Sequence, residues 1–123
     1  MRDVIPAPAP GLDLRREYGH HQSRRSGPVD PLTGGRNLGP LAEQIRQTLR
    51  NMTHMLVSAG SGLDRIVKMT VVLADAGDYD EMNRVWLEFF PVDPPARTAC
   101  ALQLSNGSGV EIECIALSGK SPS

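Results

Sequence analysis

Between Leu38 and Ala59 the apolar residues Leu38, Leu41, Ile45, Leu49, Met52, Met55, Leu56 and Ala59 recur mostly three or four positions apart. That period gathers them on one face of a helix and leaves the polar residues for the other. Pro40 suits the first turn of this helix and Gly60 its stop. Beyond "GSGLD" the period shortens to two. In "RIVKMTVVL", Val67, Met69, Val71 and Leu73 share one face while Lys68 and Thr70 share the other, which predicts a strand with one apolar side. Asp78 and Glu81 have the spacing of a capping box. Tyr79, Met82, Val85, Trp86, Phe89 and Phe90 then follow at helical spacing until Pro91, predicting a second amphipathic helix.

The last third holds two further period-two runs, "ARTACALQL" and "VEIECIAL", joined by "SNGSG". A short Gly/Ser/Asn-rich connection between alternating runs predicts an antiparallel hairpin. If Cys100 and Cys114 face the helices, parity places Arg97 and Glu111 together on the opposite face, among Ala99, Ala101, Ile115 and Leu117. The expected fold class is therefore α+β, with two helices on one face of a sheet. Its other face is too apolar for open water, which implies cover by another subunit.

Composition narrows the function classes. A chain of 123 residues makes one domain with one modest core. At 40% hydrophobic and 22% charged residues, with a formal charge of -1, it is neither a polyanion binder overall nor a disordered tail. No apolar run approaches the length of a membrane span, and "MRDVIPAPAPG" has no apolar core of a secretory signal. The expectation is a cytoplasmic protein without membrane contact. Cys100 and Cys114 lack metal-ligand spacing and are expected as unpaired, buried, hydrophobic side chains. Charge is uneven: residues 1–36 hold six Arg and four acids, and residues 37–123 seven Lys or Arg and ten acids.

"LAEQIRQTLRNMTHMLVSAGSGLDRIVKMTVVLAD", "DYDEMNRVWLEFF", "PPARTA" and "VEIECIAL" together resemble the Rid family of reactive-intermediate deaminases, also called YjgF. The resemblance runs from about Ala42 to Leu117 in order. It implies a chorismate-mutase-like subunit with a mixed sheet, assembled as a homotrimer whose sheets form a central barrel with clefts between neighbours. It further implies hydrolysis of short 2-imino and enamino acids, of the 2-aminoacrylate type, to 2-keto acids and ammonia, without metal or organic cofactor. The arginine of the family's P-A-R-[ST] corresponds to Arg97, whose guanidinium fork suits a substrate carboxylate. The first glutamate of E-I-E corresponds to Glu111, suited to hold or deprotonate a water. Asn83, Ala99 and Ser26 match positions that line the family's ligand cleft.

Residues 12–25 are atypical for the family. Ala7 to Gly11 and then Ser26-Gly27 with "DPLTG" resemble its opening, but Leu12 to Arg25 is rich in Arg, His and Ser where the family has apolar strands, and Tyr18 is a loose counterpart of its cleft aromatic. Three function classes stand beside one another. One is the imine deaminase. The second is a noncatalytic trimeric module that binds small carboxylates or keto acids. The third is an RNA-contacting, ribonuclease-like member using Arg15, Arg16, Arg24 and Arg25, disfavoured because the rest of the chain is net acidic. Simpler readings compete at single residues. Arg97 is also readable as a strand-end charge, Glu111 and Glu113 as edge-strand charges, Asn83 as an exposed helix residue, and His20 and His21 as solvated loop histidines.

Overall fold

The computed structural model describes residues 21–118. The expectations for Ala7 to His20, Tyr18 among them, lie outside that range. Strand β1 (His21–Ser26) leads through a turn into helix α1 (Leu41–Ser58). Strand β2 (Ile66–Leu73), helix α2 (Tyr79–Phe89), strand β3 (Ala96–Ala101) and strand β4 (Val110–Leu117) follow. The described strands form one mixed sheet in the order β1-β4-β2-β3.

The first helix begins just after Pro40 and ends in a Schellman motif: Ser61 N–H donates to Leu56 C=O and Gly60 N–H to Val57 C=O. Gly60 sits at φ +80°, which only a residue without Cβ adopts readily. Ile45, Leu49, Met52 and Leu56 are fully buried on one stripe, as their spacing predicts, whereas Leu38 precedes the helix and is exposed. Met82, Val85 and Trp86 of α2 meet them. Beneath both helices lie Met69, Val71 and Leu73 of β2 and Val110, Ile112, Cys114 and Ala116 of β4. Each such side chain contributes at most ~1.5–3 kcal/mol through removal from water. Arg46 of α1 closes the helix pair from outside, donating from Nε and Nη2 to the two oxygens of Glu88 on α2 and from Nη1 to Glu43.

Four expectations are corrected. The hairpin is absent: β3 runs parallel to β2, and β4 pairs antiparallel with β2 on one side and β1 on the other. The cause is topological. A strand reached from β2 through a helix returns parallel to it. The apolar β4 then takes the interior position beside β2, leaving the polar, small-residue β3 at the edge. In β2, a bulge between Ile66 and Lys68 makes Val67 an extra residue, so Ile66 is buried and Val67 is exposed. Asp78 makes no side-chain cap; Asp75, three residues earlier, accepts from Gly77 N–H instead. Cys100 is exposed, and only Cys114 behaves as a buried hydrophobe, with its thiol pKa raised by burial.

Candidate active site

Register decides which side chains meet. Arg97 pairs with Met69 and Ala99 with Val71, both facing the helices, so Arg97 and Ala99 lie on the helix side. Cys100 pairs with Val72, and Val72 with Glu111, so these three lie on the opposite face. The expectation that Arg97 and Glu111 share a face is therefore wrong. It rested on giving both cysteines one orientation, and β3 and β4 are in opposite phase. Counting three residues along β2 and two strand spacings across, the Cα atoms of Arg97 and Glu111 are roughly 14 Å apart on opposite sides of the sheet. No small substrate touches both within one chain.

Each residue nevertheless belongs to a defined pocket. Arg97 reaches from β3 under α2. Its Nη2 donates to Asn83 Oδ1 at 2.7 Å and to the Tyr79 hydroxyl at 3.3 Å. Its guanidinium carbon lies 5.1 Å from the centre of the Trp86 ring and 5.7 Å from that of Tyr79. Aromatic faces attract a cation, and the amide oxygen fixes one arm of the fork, so the remaining N–H groups are presented in a set direction. The adjoining cavity, about 350 Å³, is lined by Asn83, Trp86, Leu87, Pro94, Pro95 and Arg97. Asn83 is thus a partner of Arg97. Ala99 borders a neighbouring cavity of about 160 Å³ with Tyr79, Cys100 and Ala101.

Glu111 lies at the mouth between β4 and β1, in a cavity of about 180 Å³ with Arg25, Ser26, Gly27, Arg36 and Asn106. Its Oε1 is 3.4 Å from Arg25 Nε. Ser26 is buried, and its hydroxyl donates to the Thr48 carbonyl at 2.9 Å, so it ties β1 to α1. A polar stripe on α1 ties down the backbone beside this mouth. Gln44 accepts from Gly109 N–H and donates to the Gly39 carbonyl, while Asn51 donates to the Gly27 and Val29 carbonyls. Sequence reasoning missed Gln44, Thr48 and Asn51. Their signal was present, since they recur at four and three positions beside the apolar stripe. Among the described residues no cluster of three or more His, Cys, Asp or Glu is placed to hold a metal, and no helix is long and apolar enough to cross a membrane.

The profile of the endoribonuclease L-PSP family matches residues 25–118. The chain belongs to this family, the one its motifs resemble under the names Rid and YjgF. Among curated family relatives, the human "2-iminobutanoate/2-iminopropanoate deaminase" is 38% identical over 92 residues, covering 74% of this chain and 67% of that protein. The mitochondrial protein mmf1 of Schizosaccharomyces pombe is 39% identical over 92 residues, covering 71% and 57%. Among solved structures, a protein from Thermotoga maritima described as a putative endoribonuclease aligns with TM-score 0.76 at 31% identity, covering 80% of each chain. TdcF of E. coli with bound serine aligns with TM-score 0.74 at 30% identity, covering 93% of this chain and 90% of that one. The two helices on a mixed four-stranded sheet of the described residues thus match solved structures of this family.

Proposed function

We propose that the protein hydrolyses short-chain 2-imino and enamino acids to 2-keto acids and ammonia, in clefts that join Arg97 of one copy to Glu111 of another. The observation that carries this reading is Arg97, held by Asn83 over Trp86 at the edge of a cavity large enough for a small acid. A guanidinium so fixed suits the carboxylate that every 2-imino acid carries. The deaminase names of the relatives and the serine bound to TdcF point to ligands of the same class, an α-carboxylate next to nitrogen. A homotrimer with the outward sheet faces turned inward supplies the second copy. Val72, Cys100 and Ile115 on that face are the apolar part it covers.

The chemistry then follows from position. Arg97 binds the carboxylate and orients the C=N carbon. Glu111 of the adjoining copy holds a water and takes one of its protons as the oxygen bonds to that carbon. Glu111 passes that proton to the imine nitrogen and then relays the proton of the new hydroxyl to the same nitrogen, so the C–N bond breaks and ammonia leaves as the carbonyl forms. Arg24 and Arg25 give the RNA reading less support, because Arg25 is occupied by Glu111 and Glu113. A cytoplasmic setting is part of the proposal, and cell fractionation checks it.

The test is keto-acid formation from 2-aminoacrylate generated in place by a serine-consuming enzyme. Acceleration by the protein that Arg97→Ala abolishes is the expected result. A folded protein that binds a small carboxylate but releases no ammonia would favour the noncatalytic module.

A further inference from the structure

We propose that Arg25 is a positioning residue for Glu111, an inference that rests on the deaminase reading above. Arg25 stands on β1 directly opposite Glu113 of β4. Its guanidinium spans two carboxylates, with Nε 3.4 Å from Glu111 Oε1 and Nη2 3.9 Å from Glu113 Oε2. Glu111 and Glu113 are two residues apart on one strand and therefore share a face at about 7 Å, where like charges repel. A cation between them offsets that repulsion and draws the Glu111 carboxylate toward β1. The contact engages Oε1 and leaves Oε2 for a water in the cavity that Ser26, Arg36 and Asn106 complete. The charged groups around Glu111 are thus Arg25 from β1, Arg36 from the following loop and Glu113 on its own strand, while β2 presents the neutral Val72 opposite it.

Exposure separates this role from a structural one. The Arg25 side chain is 70% exposed and that of Glu111 32% exposed. Within one chain a pair so open to solvent contributes little to stability, so the fold survives its loss and the effect is read in rate, with the oligomeric state measured alongside. The expected result for Arg25→Gln is an unchanged melting temperature, KM within about twofold of the parent, and kcat lower by about 3–10-fold. Arg25→Lys restores most of kcat, because an ammonium still reaches between the carboxylates. An unchanged kcat, a loss carried by KM, or a Lys variant equal to the Gln variant overturns the assignment while the parent still turns over. A parent without turnover overturns the deaminase reading and this inference with it.

Discussion

An arginine side chain is long and flexible, and Arg97 has lost much of that freedom. Asn83 holds one nitrogen, Trp86 and Tyr79 supply two π-faces, and the fork is set before any ligand arrives. A lysine keeps the charge and loses the fork. Arg97→Lys is therefore expected to raise KM for a short 2-imino acid about tenfold or more, with a smaller effect on kcat, as steady-state kinetics would show. An unchanged KM would mean that Arg97 does not meet the carboxylate. At this scale much was legible in the sequence. "PPARTA" pointed to Arg97 and the helix motif to Asn83, and the two prove to be hydrogen-bonded partners. Arg25 was not legible as a partner of Glu111, because only the β1–β4 register brings them together.

At the scale of elements, the helices were legible and the strand pairing was not. A period of 3.6 with deep burial leaves little choice for Ile45, Leu49, Met52 and Leu56. Period two says which residues share a face of one strand, but neither which neighbour that strand has nor how its phase relates to another strand. "SNGSG" resembled a hairpin turn, whereas the segment between β3 and β4 carries the chain past β2. The two helices also carry a testable electrostatic link. The hydrogen bonds from Arg46 hold the Glu88 carboxyl pKa below the usual carboxylate range, with the nearby positive charges of Arg46 and Arg50 acting in the same direction against desolvation. A carboxyl depressed in the folded state contributes stability that is present above the unfolded pKa and lost as pH falls through the folded one. Arg46→Ala should therefore lower the melting temperature at neutral pH, and the difference from the parent should shrink in acid below the ordinary carboxylate range and at high salt. A difference that persists in acid would assign the effect to packing of the arginine stem.

At the scale of the whole molecule, the sheet separates the two groups that the proposed chemistry uses together. Arg97 opens beneath α2 and Glu111 opens on the far side, so on the proposed reading one chain holds two half-sites. The motifs gave the residues without this division, since adjacency in a motif list says nothing about sides of a sheet. The proposed homotrimer supplies a physical reason for it. In that proposed assembly the sheet face bearing Glu111 packs against a second copy, the half-sites of neighbouring copies are to meet at each boundary, and the apolar Val72 and Ile115 leave water in the same step. The measurement that tests this most directly mixes two inactive variants, Arg97→Ala and Glu111→Gln, after joint unfolding and reassembly, and follows keto-acid formation. Sites drawn from two chains predict that each variant alone is inert and that an equal mixture regains about one quarter of the parent rate, because one boundary in four pairs an intact Arg97 with an intact Glu111. A mixture that forms mixed oligomers yet stays as inactive as either variant would contradict the account.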